Sequence, residues 1–344
     1  MGIQKQFRGF NSTISLKPTD ARLKEPREKR ESIDKAIKAK FIENEWGEAT
    51  TFLQGSYATG MAIVPLDGDY DIDVAVTIPY ENAPGSPIPV KRAIESVLKD
   101  RGLTEVSIKR PCITAQYMKD NEPKFHIDYP VYRVNDDIHE LGWGKPTSAV
   151  ADKKWSAGDP KGLVEWTKHS DLDDDARDQY RCLVRYIKRW RDERYSGTET
   201  KPYSIGLTIM LRERFVESFN NDGDADDLDS ITCTIGAMLS PASGYFIQQG
   251  DDKYDLIVNL PKMPYIDVFK SHGNTMGTML YNRLTQLKKR LEAAQAKTNT
   301  LAACKILCED NVFGSDFPLP DDGGKNGTNQ RTKTGGAVGS PQGA

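Results

Sequence analysis

The sequence predicts an α/β fold in which a mixed sheet with helices is joined to a helical C-terminal lobe. Between residues 50 and 134, several short segments alternate apolar and polar side chains, which is the period of a half-buried strand. After residue 160, apolar side chains recur every three or four positions, which is typical of amphipathic helices. A chain of 344 residues can form two lobes around a cleft, where we expect the functional site.

The strand predictions depend on alternating side chains bounded by turn residues. Two segments rich in Pro, Gly or Asn, residues 79–89 and 135–160, are predicted to be irregular, and the second links the lobes. Residues 58–63 are predicted to form a helical turn. The predicted strands span residues 50–54, 70–78, 113–118 and 124–134.

The helix predictions depend on apolar side chains at regular spacing. Ile33, Ile37 and Phe41 mark a helix that supports the sheet from behind. Leu183 and Ile187 mark another helix, whose opposite face is basic. Further helices are predicted over residues 90–100, 203–219 and 276–291, and an acidic loop is predicted over residues 220–229.

These patterns divide the chain into four segments. The last segment has no aromatic residue and much Gly, Thr, Asn and Lys, so we expect it to be disordered. The predicted segments are an N-terminal helical support at 1–46, a sheet-bearing core at 47–150, a helical lobe at 151–320 and a tail at 321–344.

Composition narrows the classes of function. The formal net charge of −3 argues against a constitutive nucleic-acid binder, which usually has a basic domain. The sequence has no run of about eighteen apolar residues, so we expect no transmembrane helix. The first residues lack an apolar signal region, and we therefore expect a cytoplasmic protein.

The most informative motif is a Gly-Ser pair followed by a strand with two carboxylates. One predicted strand leads into Gly55 and Ser56, and the next contains Asp71 and Asp73. Alternate residues of a strand point to the same face, so both carboxylates can reach the same divalent ions. Hard oxygen ligands suit Mg²⁺, which shares its coordination shell with substrate phosphates. The motif therefore predicts a site for a nucleoside triphosphate and its metal ions.

A third carboxylate completes the predicted site. Asp128 lies on a predicted strand where apolar residues alternate with His126 and Asp128, so it faces away from the core. Asp67 and Asp69 flank a glycine, and we interpret them as turn residues. Two Mg²⁺ ions held by three carboxylates can promote in-line displacement at a phosphate, with Mn²⁺ as a substitute. Asp128 could also help to deprotonate the attacking hydroxyl, whereas a satisfied or surface position is expected for His126.

The chain resembles the nucleotidyltransferases of the DNA polymerase β superfamily. Within it, the chain is similar to the bacterial cyclic-oligonucleotide synthases related to cyclic GMP–AMP synthase and oligoadenylate synthase (the CD-NTases). The segments that carry this resemblance are residues 53–60, 69–74, 126–128, 159–166, 183–192 and 312–317. The first three define the superfamily, and the later ones indicate the bacterial signalling group.

The resemblance implies further site residues. Gln54 belongs to the Gly-Ser motif, and Lys188 and Ser204 fit the positions that hold the triphosphate of the donor nucleotide. Tyr203 is placed to stack on a base. The alternatives are a solvated cation for Lys188 and a helix N-cap for Ser204. Ser204 could fill both roles, since a helix N-terminus favours a phosphate.

The resemblance also implies a biological role. The expected product is a cyclic di- or trinucleotide second messenger made from ATP and other nucleoside triphosphates, with release of pyrophosphate, in anti-phage (CBASS) defence. The messenger would activate a separate effector. The His and Cys zinc insertion of cyclic GMP–AMP synthase is missing, so no DNA requirement is expected. We expect a monomer, and ubiquitin-transfer-like enzymes are a hypothetical partner for the C-terminus at Ala344.

Two alternatives remain open from the sequence. The first is the same chemistry on another acceptor, as in a linear oligoadenylate synthase or a transferase that modifies RNA or protein. The second is a non-catalytic nucleotide-binding module, which would be expected to lack one of the carboxylates. Base choice, ring size and linkage are not encoded in any motif of the chain.

Overall fold

The structure is a computed structural model that describes residues 3–17, 19–120, 122–195 and 200–320. The tail predicted at 321–344, with Ala344, lies outside the described residues. The helices are α1 Gln4–Ile14, α2 Lys24–Glu43, α3 Gly55–Thr59, α4 Ile88–Asp100, α5 Pro160–Lys168, α6 Asp174–Arg194, α7 Ser204–Arg214, α8 Asp227–Leu239, α9 Gly273–Gln295 and α10 Thr300–Leu307. The strands are β1 Thr50–Leu53, β2 Tyr70–Pro79, β3 Thr104–Ile108, β4 Cys112–Lys119, β5 Glu122–Asn135, β6 Ile138–Trp143, β7 Lys154–Gly158, β8 Phe246–Gln248 and β9 Tyr254–Leu256.

A seven-stranded mixed sheet forms the N-terminal half of the molecule. Its main path is β1-β2-β5-β4-β3, and the second half of β5 pairs with β6, which in turn pairs with β7. The central pair, β2 and β5, is parallel, whereas β1 and β4 flank it in antiparallel orientation. The long β5 therefore belongs to two parts of the sheet. It pairs with β2, which carries the Asp-x-Asp motif, from Phe125 to Val134, whereas β4 pairs with its first half and β6 with its end.

Two hydrophobic cores hold the fold together. The sheet core contains Ile33, Ile37 and Phe41 of α2, as the four-residue spacing predicts, packed with the buried faces of the strands and α4. The second core lies among α1 and α6 to α10, and includes Phe7 and Phe10 of α1. The predicted α/β fold with a helical lobe is thus confirmed, while the boundaries at residues 46, 150 and 320 stay predictions.

The segment 135–160 was predicted to be irregular, and this was wrong because it forms β6 and β7. Gly142 favours a loop in the sequence, yet it lies within β6. A Cβ atom at that position would come within 2.8 Å of the Cβ of Pro87, so glycine permits a close approach there rather than a turn. The short strand β3 also escaped the sequence analysis.

The helix predicted over 203–219 ends early, at Arg214. Phe215 adopts an extended conformation with φ −56° and ψ 129°. The backbone N–H of Val216 donates to the hydroxyl of Thr234, and that of Ser218 donates to the side-chain oxygen of Gln179. Side chains of neighbouring helices thus bind backbone groups that would otherwise continue α7. The predicted acidic loop is shorter as well, because α8 begins at Asp227.

No helix in the described ranges is long and apolar enough to cross a membrane.

Candidate active site

The register of the parallel pair brings the three predicted carboxylates together. Asp73 of β2 lies directly opposite Asp128 of β5. Asp71 precedes Asp73 by two residues on β2, so both side chains point to the same face of the sheet. Each of the three offers a carboxylate oxygen, and these oxygens lie within 4.8 Å of one another. Asp128 also accepts a hydrogen bond from the hydroxyl of Thr114 on β4, which fixes its orientation. Three strands therefore position one acidic cluster.

Gly55 closes over this cluster at the start of α3. Its backbone has φ +62°, a left-handed conformation that favours glycine. A Cβ atom at this position would come within 2.1 Å of Oδ2 of Asp73. The preceding residue, Gln54, donates its backbone N–H to the carbonyl oxygen of Asp73, at 3.1 Å. The Gly-Ser turn is thus packed directly on the carboxylates, and no larger residue fits at Gly55.

The acidic cluster brings three carboxylates close together in a partly buried environment. Burial, reinforced by repulsion from Asp71 and Asp128, raises the pKa of Asp73 to about 7. Asp71 is the exposed member of the three. Converging carboxylate oxygens that repel one another are the donor set that binds hard divalent cations, and a bound cation would remove the repulsion. The residues present therefore fit a metal site.

His126 bridges two acidic side chains beside the cluster. Its Nδ1 lies 3.0 Å from Oδ2 of Asp69, and its Nε2 lies 3.1 Å from Oδ1 of Asp71. The hydrogen bond to Asp71, together with the charges of Asp71 and Asp69, raises the pKa of His126 to about 9. The other oxygen of Asp69 accepts a hydrogen bond from Gln116 at 3.0 Å. Gln116, Asp69 and His126 thus form a chain of polar contacts that restrains the side chain of Asp71.

These contacts confirm one interpretation made from the sequence and extend another. Asp67 is a turn residue, since its side chain accepts the backbone N–H of Asp69. Asp69, interpreted only as a turn residue, also connects His126 to Gln116. The signal that could have found this role is register, because His126 lies directly opposite Asp71 on β5.

The opposite wall of the cleft is formed by helices and presents Lys188. The alternative of a solvated cation is wrong for this residue, because Lys188 is only 9% exposed. Its Nζ donates to the carbonyl oxygen of Met61 at 3.0 Å. Burial lowers the pKa of Lys188 to about 8. A neighbour on the supposedly solvated basic face, Arg189, is buried too, and its Nε lies 3.2 Å from Oδ2 of Asp316.

Ser204 is the first residue of α7 and lines the same cleft. The N-cap position belongs instead to Tyr203, which makes no side-chain capping bond, so the N-cap alternative for Ser204 is wrong. Tyr203 is 45% exposed, and its ring lies nearly parallel to that of Phe269, 6.0 Å away. Tyr203 is not among the residues that line the cavity, and its role in base stacking stays a prediction.

A cavity of about 350 Å³ joins the two walls. Its polar lining includes Gln54, Gly55, Ser56, Asp71, Asp73, Lys188 and Ser204. Helix α5 contributes a wall that the sequence analysis did not assign, with Leu163, Val164 and Thr167. These apolar and hydroxyl side chains show no chemical motif, so only the packing of α5 beside α3 and α7 reveals them. The cavity can hold a ligand with a phosphate near Lys188 and an apolar portion against α5.

Comparison with known proteins agrees with this geometry. Residues 49–132 match the family model described as the nucleotidyltransferase domain of DncV-like cyclic GMP-AMP synthase. Over these residues the chain is similar to a DncV-like nucleotidyltransferase domain. The matched residues include the Gly-Ser turn and all three carboxylates, and the resemblance predicted from the motifs is confirmed.

Individual relatives extend the similarity beyond that domain. A cyclic GMP-AMP synthase of Escherichia albertii is 27% identical over 179 residues, which are 50% of this chain and 38% of the relative. The chain thus aligns with well under half of that curated relative. The Vibrio cholerae DncV structure with a linear intermediate has a TM-score of 0.69 at 17% identity, covering 92% of this chain and 97% of that chain. Escherichia coli DncV, with 3'-deoxy GTP bound, has a TM-score of 0.66 at 17% identity, covering 89% and 93%. These structures share the fold of both lobes.

Proposed function

We propose that this protein is a Mg²⁺-dependent nucleotidyltransferase that makes a cyclic di- or trinucleotide second messenger from ATP and other nucleoside triphosphates, releasing pyrophosphate. The observation that carries the proposal is the cavity in which Asp71 and Asp73, with Asp128 beside them in the acidic cluster, face Lys188 and Ser204. The V. cholerae relative is described as a cyclic AMP-GMP synthase with the linear intermediate 5' pppA(3',5')pG. That relative supports a dinucleotide made in two steps.

The carboxylate wall would hold the metal ions. Mg²⁺ bound to these oxygens would lower the pKa of an attacking hydroxyl and neutralise charge on the leaving pyrophosphate. Asp71 and Asp73 lie on one face of β2, so both can contact the same ion. One oxygen of Asp128 accepts the Thr114 hydrogen bond, which leaves the other oxygen for an ion or for the proton of the hydroxyl.

The helical wall and the Gly-Ser turn would hold the triphosphate. Gly55 allows the backbone to approach a phosphate closely, and the Ser56 hydroxyl can donate to a β- or γ-oxygen. Lys188 can exchange its bond to the carbonyl oxygen of Met61 for a bond to a phosphate. Ser204 begins an eleven-residue helix, whose N-terminus favours negative charge. Catalysis then consists mainly of positioning and charge neutralisation.

We further propose the role implied by the family, in which the messenger acts on a separate effector during anti-phage defence. The chain would work in the cytoplasm as a monomer, without DNA as an activator. Conjugation at Ala344 remains a hypothesis about residues outside those described. Deletion of the last few residues should abolish conjugates formed with the ubiquitin-transfer-like partner present, and their persistence would refute it.

The decisive experiment is product analysis with labelled triphosphates. The pure protein with Mg²⁺ and all four ribonucleotides should yield phosphatase-resistant products whose mass identifies ring size and bases. A matched protein carrying both Asp71→Asn and Asp73→Asn should yield none. Linear products sensitive to phosphatase would favour an oligoadenylate synthase, and label found only on an added RNA or protein would favour a polymer-modifying transferase. Equal product from the double variant would refute the metal assignment.

A further inference from the structure

A second cavity, of about 520 Å³, lies against a different set of residues of α3. It is bounded by Asn11 of α1, by the end of α3 with Gly60, by the end of α5, and by the N-terminal half of α6. The two cavities share Thr59. A volume of this size falls in the range of small-molecule sites.

The lining of this cavity is basic, although the protein as a whole carries a net charge of −3. Lys168, Arg181 and Arg185 contribute positive charge, and Asp178 is the acidic side chain among the lining residues. Asp178 and Glu165, which pairs with Lys168 from outside the lining, offset two of these three charges, so the group keeps a net positive charge that favours an anion. The thiol of Cys182 does not offset them, because burial raises its pKa to about 11 and keeps it neutral.

The partners of two of these cations can be displaced at little cost. Arg181 pairs with Asp178 at 3.1 Å, and Lys168 pairs with Glu165 at 2.5 Å. Both carboxylates are mostly exposed, with side chains 77% and 64% accessible, and such surface pairs contribute little to stability. The Nε atoms of Arg181 and Arg185 are buried and have no hydrogen-bond partner within the described ranges. A phosphate-type oxyanion would supply acceptors to both guanidinium groups.

Arg185 connects this cavity to two neighbouring elements of the fold, α1 and the end of α3. One of its amino groups donates to the side-chain oxygen of Asn11 on α1, and the other donates to the carbonyl oxygen of Gly60, each at 2.9 Å. Gly60 caps α3, the helix that begins at Gly55. An anion bound by Arg185 and Arg181 would therefore lie next to the element that carries the Gly-Ser turn.

We propose that this basic cavity is a second binding site, separate from the catalytic cleft, which takes a small molecule bearing a phosphate dianion. The phosphate would accept hydrogen bonds from Arg181 and Arg185 and pair with Lys168. The two sources of this chemistry are free inorganic phosphate and the phosphate of a nucleotide. The inference does not depend on the product made in the cleft.

The test is calorimetric titration of the full chain with inorganic phosphate, and separately with 5'-AMP, at constant ionic strength and with EDTA present. Wild-type protein should bind one of the two probes, and the variant Lys168→Gln/Arg181→Gln should bind it at least about tenfold more weakly, since each lost group donates charge-assisted hydrogen bonds. Tighter binding of 5'-AMP would identify a nucleotide source, and binding of inorganic phosphate alone would identify the free ion.

Two matched variants keep the result specific. Lys297→Gln/Lys305→Gln removes two exposed cations, one in the connection after α9 and one on α10, and should bind like wild type. Lys188→Gln, in the catalytic cleft, should also leave this binding unchanged. Failure of both probes to bind, equal affinity in the Lys168→Gln/Arg181→Gln protein, or loss of binding with Lys188→Gln would overturn the proposal. Lys168→Gln alone, at a half-buried side chain, tests the site if the double variant does not fold.

Discussion

The two walls of the catalytic cleft carry opposite charge and are built in different ways. The sheet wall gathers Asp71, Asp73 and Asp128 at neighbouring positions of paired strands, so its geometry is fixed by backbone register. The helical wall presents Lys188 and Ser204 from two helices, and no acidic side chain of α5, α6 or α7 lines the cavity. This contrast indicates different roles for the two walls: the sheet would bind metal ions and the helices would bind phosphate.

The largest expected effect is on the sheet wall. Asp73→Asn keeps the shape of the side chain but removes a charge from the cluster, so product formation should fall by about 10³-fold or more. The reason is that metal binding supplies several kcal/mol of transition-state stabilisation, and about 1.4 kcal/mol corresponds to tenfold in rate. Initial rates with labelled triphosphates measure this. Asp67→Asn, in the turn before β2, is the control and should remain active; equal loss in both variants would contradict the assignment.

A somewhat smaller effect is expected where the Gly-Ser turn meets the carboxylates. Gly55→Ala would place a methyl group against Asp73 and displace it, and a displacement of about 1 Å can cost about 10²-fold in rate. Gly102→Ala is a matched control, because Gly102 has a similar φ of +75° but open space around the new Cβ. It should lower the free energy of unfolding by about 1–2 kcal/mol without changing activity. Equal activity of the two variants would argue against the close approach.

The helical wall should respond through substrate binding. Lys188→Gln removes a cation proposed to contact the triphosphate, so the KM for the nucleotide should rise about 10- to 100-fold while the Mg²⁺ dependence stays near that of wild type. Lys91 is the matched buried lysine, since its amine donates to the carbonyl oxygens of Lys109, Arg110 and Gly144. Lys91→Gln should lower thermal stability and leave KM unchanged. A normal KM in the Lys188 variant would remove the helical wall from phosphate binding.

The smallest effect is expected at the edge of the acidic cluster. His126→Gln loses one of the two contacts that join Asp69 to Asp71, and loss of a side chain that orients a metal ligand weakens metal binding by about tenfold. The midpoint of a Mg²⁺ titration of activity should rise accordingly, with less change in the KM for nucleotide. Binding of Mn²⁺ to the protein without nucleotide, followed by electron paramagnetic resonance, provides a readout that does not depend on turnover. An unchanged Mn²⁺ affinity would show that His126 does not position Asp71.

The sheet wall could be predicted from the sequence because patterns within single strands determine which way its carboxylates point. Period-two alternation places Asp71 and Asp73 on one face, and the same argument applied to β5 gives Asp128. The length of a strand and the type of a turn depend mainly on residues close by in the sequence. The predicted strands β1, β2, β4 and β5 therefore have nearly their observed bounds. The carboxylates then converge as soon as the two strands pair.

The helical wall could be predicted only in part because its environment is formed by distant residues. Lys188 lies on a helix face rich in Arg and Lys, a pattern that indicates a solvated surface. Its burial arises from the loop after α3, whose Met61 carbonyl oxygen lies 127 positions earlier in the chain. The contacts of His126 and the wall formed by α5 likewise depend on how elements meet rather than on any local pattern.

The position of α1 has a consequence for the order of assembly. Tyr186 donates its hydroxyl hydrogen bond to the carbonyl oxygen of Phe7, and Phe7 and Phe10 pack on Phe313 and Phe317, some three hundred positions further along. At a ribosomal rate of about 5–20 residues per second, these partners follow α1 after roughly 15–60 s. During that time the whole sheet is made, while an aromatic helix face remains uncovered. Helix α1 is therefore synthesised well before part of the surface it packs on, and its aromatic face is fully covered only after Phe313 and Phe317 have been made.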